Sequence, residues 1–87
     1  MKTVQDLVNA TREVKKGNHR VKLVLGWEGV KSIIKKRYFI YFSTAICTVD
    51  EINKTFSIDS SYGSQSTTRV CNAYRKHFAG MGYSEQK

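Results

Sequence analysis

The first sixteen residues show the hydrophobic spacing of an amphipathic helix. One stripe of a 3.6-residue period contains Val4, Leu7, Val8, Thr11 and Val14. Thr3 is a suitable N-cap, and Gly17 follows two lysines at the position where a left-handed residue ends many helices. The pattern therefore predicts a first helix over residues 3–16.

Three later segments show the patterns of β-strands. Residues 20–27 alternate, with Val21, Leu23, Leu25 and Trp27 on one side of the strand. Residues 37–48 are rich in aromatic and β-branched residues and apolar on both sides, which favours a central strand. Residues 55–61 alternate again after a polar turn, whereas residues 28–36 fit either a loop or the start of a strand.

A second helix is predicted from about residue 67 to residue 79. Its apolar stripe consists of Val70, Ala73, Tyr74 and Phe78. The predicted order is therefore α-β-β-β-α. Short connections let three antiparallel strands bury one face beneath two helices. We expect residues 1–87 to form one small α+β domain, a three-stranded antiparallel sheet packed by two helices on one face.

Positive charge is concentrated in one part of the chain. The 87 residues include 15 Lys and Arg against 7 Asp and Glu, a formal net charge of +8. Nine of the cations and two of the acids lie between residues 12 and 37, so this segment carries most of the excess. A patch of one sign attracts polyanions. The alternative is a surface charge that serves solubility only.

The segment KSIIKKRYFIYF, residues 31–42, interleaves basic and aromatic side chains. Cations can contact phosphates while rings stack on bases, so this pattern suits nucleic acid. The alternative is a strand whose aromatics are core and whose lysines are solvated. That alternative leaves the second apolar face of the strand unexplained, which points to a binding surface or a homodimer contact.

Hydroxyl side chains precede the second helix in the segment SYGSQSTTRVCNAYRKHF, residues 61–78. Ser66 or Thr67 can cap the first N–H groups of the helix, which is the favoured interpretation. The same N–H groups can also bind an anion, with Gly63 allowing close approach and Arg69 supplying a cation.

No set of residues forms a catalytic motif. Cys47, Cys71, His19 and His77 lack the spacing of a zinc site, and the cysteines are most simply buried and reduced. We therefore expect a non-enzymatic protein without metal or other cofactor. The chain has no apolar run of about 20 residues and no signal-peptide pattern, which favours the cytoplasm and no membrane contact.

The predicted α-β-β-β-α order and the basic segment YGSQSTTRVCNAYRKHF resemble the double-stranded-RNA-binding domain. This resemblance implies a similar shape. The small size, the high positive charge and the absence of proline also resemble the accessory proteins of bacteriophages and prophages. Some of those proteins bind nucleic acid, and others, the anti-CRISPR proteins, inhibit host defence.

Two functions are therefore predicted. The leading hypothesis is a nucleic-acid-binding protein, for RNA or DNA, that acts through phosphate contacts. The alternative is an inhibitor or adaptor that binds an acidic host protein or a ribonucleoprotein. The candidate contact residues are Lys15, Lys16, Lys31, Lys35, Lys36, Arg37, Ser66, Thr67, Arg69, Arg75 and Lys76. Charge reversal at Lys35, Lys36 and Arg37 should harm function more than stability.

Overall fold

The computed structural model describes residues 2–59 and 65–86 and has an α+β architecture, which confirms the predicted class. In chain order the elements are α1 (Lys2–Val8), β1 (Val14–Lys16), β2 (His19–Glu28), β3 (Lys31–Tyr41), β4 (Thr44–Asp50), β5 (Thr55–Ile58), α2 (Gln65–Gly80) and β6 (Ser84–Gln86). The strands form one six-stranded sheet in sequence order. All neighbours are antiparallel except β5 and β6, which are parallel. The predicted three-stranded sheet is therefore wrong.

The first helix is shorter than predicted because its second half joins the sheet. Helix α1 ends at Val8, and residues 14–16 form β1. Gly17, with φ of +58°, is the first residue of a two-residue hairpin loop that pairs Lys16 with His19. Glycine suits this loop position as well as it suits a helix end. The prediction of a helix over residues 3–16 is thus wrong beyond Val8.

The predicted central strand over residues 37–48 is two strands joined by a hairpin turn. The chain reverses at Phe42 and Ser43, and β3 then pairs with β4. Phe42 has φ of +57°. Glycine, asparagine and aspartate are the usual residues at such a position, so the sequence carries no turn signal here. The ambiguous residues 28–36 form the end of β2, a tight turn and the first half of β3.

The later elements agree better with the predictions. Strand β5 lies within the predicted 55–61 strand, and α2 covers the predicted 67–79 helix. Strand β6, only three residues long, follows α2 and pairs with β5, and the sequence pattern did not predict it. Neither described helix is long and apolar enough to cross a membrane.

Both helices pack on the same face of the sheet. Val21, Phe39 and Cys47 are cross-strand neighbours on that face, and all three are fully buried. The core cluster comprises Val4, Leu7, Val8, Val21, Phe39, Ile46, Cys47, Val49, Phe56, Val70, Cys71, Tyr74 and Phe78. The two cysteines are buried and unbridged, as predicted, and burial raises the pKa of both thiols.

The opposite face of the sheet follows from the alternation of side chains along each strand. Lys22, Tyr38 and Thr48 pair across β2, β3 and β4, and each lies one position from a core residue. These side chains are exposed or half-buried. The core cluster and both helices therefore lie on one side of the sheet, and the other side faces solvent.

The hairpin of β2 and β3 extends beyond its neighbours as a two-stranded ribbon over residues 24–35. Strand β1 pairs only with residues 19–21 of β2, and β4 pairs only with residues 36–41 of β3. Leu25, Trp27 and Val30 on this ribbon are largely exposed.

Candidate nucleic-acid interface

Cations from three neighbouring strands meet on the solvent-facing side of the sheet. Lys15 on β1 pairs directly with Arg20 on β2. Lys22 lies two residues farther along β2, on the same face. Lys36 on β3 pairs with Val24, which is two residues beyond Lys22. We call the set of Lys15, Arg20, Lys22, Lys35 and Lys36 the cationic face.

A β-bulge adds Lys35 to this face. Val24 pairs with Lys36 and Leu25 pairs with Ile34, so Lys35 is an extra residue in β3. Its side chain crosses Gly26 so closely that a Cβ on Gly26 would lie 2.4 Å from Lys35 Cε. Gly26 and Val24 share a face because they are two residues apart. The absence of a side chain at residue 26 therefore makes room for Lys35 beside Lys36.

The charges of the cationic face are largely uncompensated. All five side chains are exposed, and none of the ion pairs found within residues 2–59 and 65–86 includes them. Asp50 lies opposite Lys36 across β3 and β4. However, its carboxylate accepts hydrogen bonds from the N–H groups of Ile52 and Asn53, at 2.9 and 3.0 Å. Hydrogen bonds from Asn53 are the main cause that lowers the pKa of Asp50, with a smaller effect from Lys36.

The cationic face is long enough to contact several phosphates. From the level of Arg20 to that of Gly26 a strand rises about 20 Å. This length equals about six phosphate steps along one strand of duplex DNA. Tyr38 and Ile40 lie between the cations on this face. Ile40 is only 8% exposed, so neighbouring side chains cover most of it.

Two of the predicted contact residues lie on the helix-covered face instead. Lys16 forms an ion pair with Asp6 of α1, with 3.0 Å between Nζ and Oδ2. The Arg37 side chain is only 12% exposed, and its Nε lies 2.6 Å from Oε2 of Glu51. Arg37 Nη1 also donates to the backbone oxygens of Val8, at 3.3 Å, and Ala10. Lys16 and Arg37 therefore serve the fold, and we leave them out of the interface.

The predicted residues of α2 do not join the cationic face either, because α2 packs on the other side of the sheet. Ser66, Arg69 and Lys76 are exposed on this helix. Thr67 is 5% exposed and faces the core, so its hydroxyl cannot meet an anion in solvent. Arg75 bonds to Glu85 at 3.0 Å and to Asn72 at 2.9 Å.

Two further predicted sites have different outcomes. Lys31 lies at the tip of the ribbon, on the side of the cationic face but opposite Glu28. The hydroxyl-rich segment before α2, with Ser61, Gly63 and Ser64, lies outside the described residues.

The interleaving of basic and aromatic side chains arises mainly because successive residues of β3 lie on opposite faces of the sheet. Phe39 is fully buried in the core, where its ring lies 4.6 Å from that of Tyr74. Tyr38, its neighbour, lies half-buried on the cationic face. Arg20 and Lys22 are members of the cationic face that were not among the predicted contact residues. The signal was present, since both lie on the polar side of the alternating 20–27 strand.

Comparison with known proteins gives no relative: no family model, no curated protein and no solved structure matches this chain. A bacteriophage origin and an anti-CRISPR role therefore stay predictions. The six-stranded sheet also differs from the α-β-β-β-α order on which the resemblance to the double-stranded-RNA-binding domain rested.

Proposed function

We propose that this protein binds nucleic acid, without catalysis and without a cofactor, through phosphate contacts made by the cationic face. The observation that carries the proposal is the position of five exposed cations on one open face of the sheet, none of which is in an ion pair with another described residue. Lys and Arg side chains that contact phosphates give affinity with little sequence readout. The proposed location is the cytoplasm.

The distribution of acids supports this choice of surface. Asp6, Glu51 and Glu85 form ion pairs with residues on the helix-covered side of the sheet. These three acids therefore neutralise cations where the fold is packed, whereas Glu28 and Asp50 on the solvent-facing side form no ion pair among the described residues. A one-sided field of this kind steers a polyanion to the open face of the sheet.

The first prediction concerns salt. If each of the five cations neutralises one phosphate, the plot of log affinity against log salt concentration should have a slope of about −4.5 on duplex DNA. The measurement is fluorescence polarisation of a labelled 20-base-pair duplex at four salt concentrations. A slope near zero, or no binding at low salt, would refute the proposal. A single-stranded RNA of equal length, measured beside it, shows which polymer binds more tightly.

A second candidate is the inhibitor or adaptor that binds a host protein, and the ribbon favours it. Leu25 and Trp27 lie on the same side of the ribbon, away from the cationic face, and Trp27 is 73% exposed. Exposed apolar side chains of this kind mark many protein interfaces.

The test of this candidate uses capture of a protein from a nuclease-treated host lysate. We expect a Trp27→Ser variant to capture at least tenfold less partner, because a tryptophan that becomes buried at the centre of an interface contributes strongly to binding. The Lys22→Gln variant should capture as much partner as the wild type. Equal capture by Trp27→Ser and by the wild type would reject the ribbon as the interface.

A further inference from the structure

An open cavity of about 360 Å³ lies between two hairpin turns at the end of the cationic face. One turn joins β1 to β2, and the other joins β3 to β4. The N–H of Phe42 in the second turn donates to the backbone oxygen of Asn18 in the first, at 2.8 Å, and so holds the two turns together. Lys15 and Arg20 belong both to the cavity wall and to the cationic face.

Phe42 in this cavity wall occupies a backbone position that favours glycine. Three hairpin loops of this sheet begin with a residue of positive φ: Gly17 at +58°, Gly29 at +64° and Phe42 at +57°. The chain places glycine in the first two, as expected for such turns, and a phenylalanine in the third. A bulky residue in this conformation is strained, and such strain is often found at functional sites.

Burial does not account for the choice of phenylalanine. The Phe42 side chain is 63% exposed. Its ring packs against that of Tyr41, with 4.6 Å between ring centroids, and Phe42 also lines the cavity. A strained turn therefore places an exposed aromatic residue in the wall of a cavity that Lys15 and Arg20 also line.

His19 also lines the cavity, but strand alternation places its ring on the helix-covered face, opposite Lys15 and Arg20. The Nδ1 atom of His19 is buried and has no hydrogen-bond partner among the described residues. The ring of His19 stacks against that of Tyr41, with 4.8 Å between their centroids. Because Nδ1 is buried, it is not accessible to a ligand in the open cavity.

We infer that this cavity binds one unpaired nucleotide of a single-stranded nucleic acid. Its base stacks on Phe42, and its phosphate contacts Lys15 and Arg20. Stacking on an aromatic ring requires a base that is free of a duplex, so the cavity favours single strands or frayed ends. The inference rests on the proposed function, because the rest of the strand follows the cationic face.

The test is the Phe42→Gly variant, because glycine suits the backbone of this turn. Fluorescence polarisation should show about a tenfold loss of affinity for a labelled 12-nucleotide single strand, the size of one lost stacking contact. Affinity for a blunt duplex should change less than twofold. The melting temperature should stay equal or rise. Val30→Gly is the matched control, because it removes an exposed apolar side chain from another hairpin turn.

The other outcomes separate the two proposals. If neither the single strand nor the duplex binds to the wild type at low salt, both proposals are wrong. If both bind and Phe42→Gly weakens neither, only the cavity proposal is wrong. Equal losses on both polymers together with a lower melting temperature would also overturn it, since Phe42 would then act through folding.

Discussion

Replacing Arg37 with glutamine should lower the free energy of unfolding by about 2 to 4 kcal/mol. The substitution removes an ion pair that is largely shielded from solvent and leaves Glu51 with Tyr83 and the exposed Lys54 as its partners. It also removes a donor to the backbone oxygens of Val8 and Ala10, at the end of α1. A helix of seven residues is too short to be stable without such contacts.

The control for Arg37→Gln is the same substitution at the next residue. Lys36 is exposed on the opposite face, so Lys36→Gln should change the free energy of unfolding by less than about 0.5 kcal/mol. Urea unfolding of both variants measures the difference. Equal effects of the two substitutions would contradict the assignment of Arg37 to the fold. Charge reversal at Arg37 should therefore harm stability more than function, contrary to the expectation from the sequence.

The different roles of Lys36 and Arg37 illustrate what the sequence could and could not predict. Both were part of one basic cluster, and strand alternation alone places them on opposite faces. The acid that pairs with Arg37 lies 14 residues away in the chain, and the acid that pairs with Lys16 lies 10 residues away. Such pairs depend on tertiary packing, so charge counting could not identify them.

Periodicity predicted the elements that have one consistent pattern. Helix α2 has a continuous apolar stripe and β5 a clear alternation, and both were located correctly. Val14 fits the stripe of a helix as well as the alternation of a strand, so the first helix was predicted too long. The turn at Phe42 has no glycine or asparagine, so no local signal divided residues 37–48. No local pattern predicts the bulge at Lys35 either, because it depends on the register between β2 and β3.

The largest effect on binding should come from Lys22→Glu combined with Lys36→Glu. These two lysines lie at the centre of the cationic face, and both are exposed, so the fold should tolerate the change. Each substitution removes an attraction to phosphate and adds a repulsion. With about 1 kcal/mol for each unit of charge near a phosphate in water, affinity for duplex DNA should fall by about 100- to 1,000-fold at low salt.

A matched control separates the position of the charge from its amount. Arg69→Glu combined with Lys76→Glu makes the same change in net charge, but on exposed residues of α2 on the other side of the sheet. If binding depends only on the net charge of the molecule, both double variants should lose equal affinity for duplex DNA. If binding depends on contact with the cationic face, mainly the Lys22→Glu and Lys36→Glu variant should lose affinity.

The most direct measurement is therefore the affinity of both double variants and the wild type for one labelled duplex at low salt, with circular dichroism to confirm folding. We expect a loss of about 100-fold or more for the Lys22 and Lys36 variant and less than about fivefold for the Arg69 and Lys76 variant. Similar losses for two folded variants, or a larger loss for the α2 variant, would contradict binding through the open face of the sheet.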